Sequence, residues 1–202
     1  MKKQVILAAI CLTTASVFYT SCKKSTTTTA TTPAATTPAG PTLYTRVGGT
    51  AMVQDPQAAS GTMIEKGRLT LRSVVDSAIY VIAADANINS YFHVLLAEVG
   101  AGNTTGFSAL SENFTDFLCT ATGSTNTAFV YGGKSMKDAH NPTYSSRITT
   151  LVTSAAFDQF VTDIGTALAK NGVTTASTAS TDPNLIPDLV ALLETTKSTI
   201  VQ

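Results

Sequence analysis

The chain has 202 residues, of which 44% are hydrophobic and only 13% charged, and lysine plus arginine balances aspartate plus glutamate at 13 each. That length suits one packed domain with additions, and the sparse, even charge excludes the basic stripe of a nucleic-acid binder. Of the three cysteines, Cys11 and Cys22 lie near the start and Cys119 is alone in the body, so an intradomain disulfide is excluded as well.

Met1-Lys2-Lys3 is a positive start, Val5 to Leu12 an apolar run, and Ala15 to Ser21 small and mixed. This is the layout of a signal peptide, too short to stay in a bilayer as a spanning helix. Phe18-Tyr19-Thr20-Ser21-Cys22 resembles a bacterial lipobox, in which a cysteine directly after the apolar run becomes the lipid carrier. The resemblance implies a lipoprotein signal peptide over residues 1–21 and acylation of Cys22. Each buried methylene of the lipid then contributes about 0.8 kcal/mol to membrane anchoring. Lys23 and Lys24 follow in place of an acidic run, so the expected location is the cell envelope, facing the periplasm. An ordinary secreted protein cut elsewhere is the alternative. Ser25 to Thr42 is nearly all Thr, Ala and Pro, with no charge. It cannot bury enough apolar surface to offset its ordering entropy, so residues 22–42 are expected to form a disordered tether.

The domain is expected over residues 43–202. Asp55-Pro56 marks a turn, and Thr62-Met63-Ile64-Glu65 has the spacing of a capping box that starts a helix. Val74, Val75, Ala78, Ile79 and Ile82 share one helical face, and Asp85 to Ser90 breaks the pattern. After a loop over Gly100 to Gly106, Phe107, Leu110, Phe114, Phe117, Leu118 and Ala121 recur at helical spacing until Gly123 to Asn126 ends the run. Ser135-x-x-Asp138 opens a short helix carrying Met136, Ala139 and His140, stopped by Asn141-Pro142. Phe157, Phe160, Val161, Ile164 and Leu168 form another amphipathic helix, closed by Asn171-Gly172. Asp182-Pro183 suits an N-cap and first helical position before Leu185 to Leu193. No strand or repeat is apparent. The expected class is all-α, with an added helix within Asp55 to Arg72.

Two histidines follow the leader, His93 and His140. A lone histidine on an apolar face is commonly a hydrogen-bonded packing residue, but the setting of His140 argues for more. Tyr131-Gly132-Gly133-Lys134-Ser135-Met136-Lys137-Asp138-Ala139-His140 resembles the truncated-haemoglobin signature that ends in the haem-ligating histidine. Thr42 to Gly49 resembles that family's opening motif, and Val74-Val75-Asp76 its first core helix. Tyr91-Phe92 matches the aromatic pair after that helix, Phe117 to Gly123 the end of the distal helix, and Gly165 to Gly172 the tail of the penultimate helix. The order is preserved from Leu43 onward.

The resemblance implies a group I, two-over-two globin fold holding haem, with His140 as the proximal ligand through one nitrogen and its other nitrogen donating to a backbone carbonyl. It places Phe92 flat against the ring and Leu110, Phe114, Phe117 and Leu118 on the distal side. Tyr131 and Met136 would touch the ring edge, and Lys134 or Lys137 would meet a propionate. With no C-x-x-C-H, the haem would be b-type and non-covalent. The implied partners are a diatomic gas (oxygen, nitric oxide or carbon monoxide), the membrane through Cys22, and an unidentified reductase or protein. Redox detoxification is left open, while G-x-S-x-G, H-E-x-x-H and paired-carboxylate patterns of hydrolases are missing.

Three departures from the family matter. The stretch between Gly49 and Val74 is long. The positions where the family carries a tyrosine and a glutamine over the iron match Ile79 and Phe114, with Tyr80 turned about 100° away. His93 directly follows Phe92, within reach of a sixth-ligand role. Without a distal donor, whose hydrogen bond to a polarised ligand is worth about 1.5–3 kcal/mol, weak dioxygen retention is expected. A haem-free, globin-shaped interaction module is the alternative function.

Overall fold

Helices α1 (Leu43–Arg46), α2 (Lys66–Ala84), α3 (His93–Gly100), α4 (Thr105–Thr122), α5 (Met136–Ala139), α6 (Ser154–Lys170), α7 (Leu185–Glu194) and α8 (Lys197–Ile200) follow one another along the chain. A hairpin of β1 (Met52–Gln54) and β2 (Met63–Glu65) separates α1 from α2, and short 3-10 turns occupy Asn89–Phe92 and Thr127–Phe129. The computed structural model describes residues 40–173 and 182–202. The expected signal peptide, the expected lipidation site at Cys22 and nearly all of the expected tether lie outside the described residues.

The core sits where α2 crosses α6. Val75, Ala78 and Ala167 have no exposed surface, and Leu71, Val74, Phe157, Ile164 and Leu168 close around them. These are the apolar stripes read from the sequence, now facing each other. Helix α4 packs on α2 through Leu118 and Cys119, also buried. Its C-terminus is the expected one: Gly123 takes the left-handed conformation, φ +92°, that a side chain would strain.

The stretch after Gly49 corrects the sequence reading. It is helical only from Lys66; before that, Met52 pairs with Glu65, Val53 with Ile64 and Gln54 with Met63 in an antiparallel ladder. The apparent capping box fails because its members are used elsewhere. The Thr62 carbonyl accepts from the Asp55 N–H at 2.9 Å. The buried Glu65 carboxylate accepts from Tyr44 Oη and from Asn126 Nδ2, both at 2.7 Å. Burial and the Glu65 bond together push the Tyr44 phenol far above its ordinary range. Gly67 makes this junction possible, since a Cβ there would lie 2.9 Å from Tyr44 Cζ and 3.0 Å from the Gly49 carbonyl.

Two further contacts fix the ends. The Asp182 carboxylate accepts from the Asn184 and Leu185 N–H groups, the capping role expected of it, although the helix itself opens at Leu185 after Asn184. It also forks onto Arg46, at 2.6 Å to Nε and 2.8 Å to Nη2, while Asp188 takes Nη1 at 2.6 Å. At the other end Gln202 accepts from Asn141 Nδ2 at 2.8 Å and donates to the Lys137 carbonyl at 3.0 Å, which ties α5 to the C-terminus.

Asp163 on α6 is a cost of this arrangement. It is 4% exposed, its Oδ2 has no partner, and its Oδ1 meets only Gln159 Nε2 at 3.3 Å. Burial holds its carboxyl above the ordinary value of 3.8, with the Gln159 bond acting against the shift and the nearby Asp85 charge adding to it. The folded state therefore binds the proton more tightly than the unfolded one, and stability falls as pH rises from 3.8 through the folded value. Asp163→Asn is expected to raise stability at pH 7 by about 1 kcal/mol, the low end for an unsatisfied buried group. Thermal melts at pH 7 and pH 3 check this: the gain must be present at the first and nearly gone at the second, and an equal gain at both would refute the charge argument.

Candidate functional site

The Ser135 hydroxyl caps α5, accepting from the Asp138 N–H at 3.1 Å and donating to the Asp138 carboxylate at 2.8 Å. The helix is only one turn long, and His140 stands at its C-terminal cap. There its Nδ1 lies 2.7 Å from the Met136 carbonyl. A carbonyl can only accept, so Nδ1 carries the proton and Nε2 keeps its lone pair. Burial lowers the affinity of the ring for a second proton, outweighing the Met136 contact that raises it. The result is a neutral imidazole held in one tautomer, the form in which a histidine ligates metal.

His140 borders a cavity of about 580 Å³. Ile79 on α2, Phe92 at the end of the first 3-10 turn, and Leu110, Phe114 and Phe117 on α4 line it, together with Tyr131 and Met136. Most of the residues expected at the site are thus brought around one space. The aromatic rings touch in series: Phe117 meets Tyr131 edge-on at 6.0 Å and Phe114 at 6.5 Å, and Phe114 meets Phe160 at 5.9 Å. Tyr131 Oη donates to the Lys134 carbonyl at 2.7 Å, and burial raises its phenol. The Gly-Gly step is explained at its second member, because a Cβ on Gly133 would sit 2.4 Å from Tyr131 Oη.

Three expected residues fall outside the lining. Leu118 is 5% exposed but packs into the core. Lys137 is exposed, whereas Lys134 borders the cavity and its Nζ reaches the Tyr144 carbonyl. His93 is exposed on the first turn of α3, with Nδ1 3.0 Å from the Ser90 carbonyl, and does not line the cavity. Tyr80 is 67% exposed and packs on Phe107 at 5.6 Å, away from the cavity.

Sequence reasoning missed Arg147. It borders the cavity and pairs with Glu98 at 2.7 Å, across the first turn of α4. Gly106 leaves room for that pair: a Cβ there would lie 2.1 Å from Glu98 Oε2 and 2.6 Å from Arg147 Nη1. The signal available was a single cation in an otherwise uncharged stretch after Pro142. Phe157 and Phe160 on the cavity wall were read only as core.

The donor set constrains any metal. Among the described residues no group of three or more His, Cys, Asp or Glu could hold an ion. One imidazole beside an apolar cavity suits a metal that arrives with its own ring of ligands. Lys134 and Arg147 at the border suit acidic groups on such a ring.

No protein-family model matches the chain, and no curated protein matches it. Its structure is similar to solved structures of truncated haemoglobin from Tetrahymena pyriformis, among them three single-substitution variants in the Fe(III) form. Each is 20% identical, with a TM-score of 0.52, over 80% of this chain and 98% of the other. At that identity the likeness establishes architecture, and the chain has a truncated-globin fold.

Proposed function

We propose that this protein is a haem-binding globin that takes diatomic gases at an iron ligated by His140. The observation that carries the reading is the His140 imidazole, locked by the Met136 carbonyl at 2.7 Å with its other nitrogen bare, at the edge of a 580 Å³ apolar cavity. The residues fit the group. Phe92, Phe117, Tyr131 and Met136 would pack against the macrocycle, and Lys134 and Arg147 would hold its propionates. With no C-x-x-C-H in the sequence, nothing would bind it covalently, which makes it b-type. When bound, haem supplies an iron able to take a gas. The protein orients it and excludes water.

His140→Ala is expected to remove or shift the sharp Soret band of the haem-loaded protein, and added imidazole to restore it. A parent without a specific Soret band would refute the reading and favour a haem-free, globin-shaped interaction module.

The gas side of the cavity is apolar. Ile79, Leu110 and Phe114 donate nothing, and Asn113 gives one of its amide N–H groups to the Ala109 carbonyl at 2.7 Å. Dioxygen would therefore leave a haem held here quickly, and carbon monoxide and nitric oxide, which rely less on a donor, would be held better. Ile79→Tyr is expected to slow dioxygen release roughly tenfold to a hundredfold. A stopped-flow release rate unchanged from the parent would refute the argument.

The reading extends to the envelope. The apolar leader ending in Cys22 supports lipid anchoring, and no helix among the described residues is long and apolar enough to cross a membrane. Labelled palmitate fed to the producing bacterium is expected in the parent and not in Cys22→Ser. Equal labelling of both would exclude Cys22 as the lipid carrier.

A further inference from the structure

Residues 143–151 form part of the wall of the His140 cavity without belonging to any helix or strand. Ser145, Ser146, Arg147 and Ile148 border the space. No residue from Asn141 to Thr153 is buried, whereas α2, α4 and α6, which supply much of the remaining wall, also carry the core. Among the described residues, the backbone bonds of this strap are local. Tyr144 and Ser145 donate to the Asn141 carbonyl at 3.0 and 2.9 Å, and Ile148 donates to the Ser145 carbonyl at 3.2 Å. A segment with few buried contacts and only local bonds opens more readily than the core beside it. We propose that the strap is a lid over the cavity, hinged at both ends and latched in the middle by Arg147 on Glu98. The inference rests on the His140 cavity being the binding site.

The two hinges are anchored on neighbouring residues. Asn141 Nδ2 donates to Gln202 Oε1 at 2.8 Å, and Val152 forms a parallel bridge with Val201. Between these anchors, two side-chain hydrogen bonds hold the strap to the body among the described residues. Lys134 Nζ donates to the Tyr144 carbonyl, and Arg147 Nη1 donates to Glu98 Oε2 at 2.7 Å.

Glu98 is the fixed post of this latch. It lies in the last turn of α3, where its carbonyl accepts from the N–H of Ala101 at 3.1 Å and of Asn103 at 2.9 Å. The bare Gly106 on α4 leaves the two charges room to meet. Arg147 is the moving part, with its side chain 48% exposed against 26% for Glu98. An ion pair exposed to this degree shifts an equilibrium only about two- to fivefold. It therefore biases the strap toward closure without locking it. Release would carry Arg147 and its neighbour Ile148 off the border of the cavity together.

Glu98→Gln keeps the size of the side chain and removes its charge, and Glu98 does not line the cavity. In the full chain without added ligand, hydrogen exchange at the Ser145 and Ile148 amides is expected to quicken about two- to fivefold in this variant. Exchange in α2 and α6 should stay unchanged. Raising salt to about 1 M, where the screening length falls to about 3 Å, should narrow the difference from the parent. Stopped-flow mixing then follows haemin and anilinonaphthalenesulfonate, each an apolar body with an acidic edge. Both are expected to enter and leave the variant about two- to fivefold faster. Unchanged exchange at Ser145 and Ile148 would make the strap a fixed wall. Faster exchange with unchanged entry of both probes would place the route elsewhere, and either result overturns the proposal. If haemin fails to bind while the sulfonate enters the variant faster, the haem reading fails and the lid stands. Binding of neither probe would overturn both.

Discussion

Val75 and Ala78 on α2 and Ala167 on α6 have no accessible surface, and the crossing they form decides what the rest of the chain can do. Small side chains at a crossing let helix axes approach closely, and close-packed interiors transmit any misfit. Ala78 serves twice, since it belongs to the core and also borders the cavity beside His140. A larger residue there would press on α6 and fill the cavity at once. The back wall of the site is therefore inseparable from the stability of the fold.

Helix α4 carries the second constraint, because its faces meet different surroundings. Leu110, Phe114 and Phe117 border the apolar cavity, Leu118 and Cys119 enter the core, and Ser108, Ser111 and Thr115 share a second, polar cavity with Arg68, Arg72 and Asp76 of α2. At about 100° per residue, Phe114 and Phe117 fall within about 40° of Leu110, while Leu118 lies about 80° round. That rotation is why Leu118, sequence neighbour to Phe117, leaves the site for the core. Cys119 is held still deeper. Burial raises its thiol to about 11, against the lowering effect of Arg68, which leaves it a packing residue and a poor nucleophile.

What could be read in the sequence follows from range. The helices carrying periodic apolar stripes were legible, because each stripe is local and repeats over several turns. His140 was legible for a related reason: its cap, Ser135-x-x-Asp138, its one-turn helix and its stop at Asn141-Pro142 lie within eight residues. The hairpin was not, since strands of three residues are too short to establish an alternation. Thr62 and Glu65 imitate a helix start, and only Tyr44 and Asn126, distant in sequence, reveal the actual use of Glu65. Asp182 was legible as a cap and not as an ion-pair partner, because Arg46 lies at the other end of the domain in sequence.

The border of the cavity shows the same limit acting on the site itself. Lys134 and Lys137 are equivalent by sequence, three residues apart on one short segment. The choice between them is made by the C-terminus: Gln202 takes the Lys137 carbonyl and Asn141, fixing which side of α5 faces outward. Arg147 arrives from an irregular stretch whose position depends on Glu98 and on the missing side chain at Gly106. Two cations thus border the cavity opposite an apolar wall, one set by the chain end and the other by a glycine on a different helix. A ligand with an apolar body and acidic edges would match both features together, whereas either alone would accept many others.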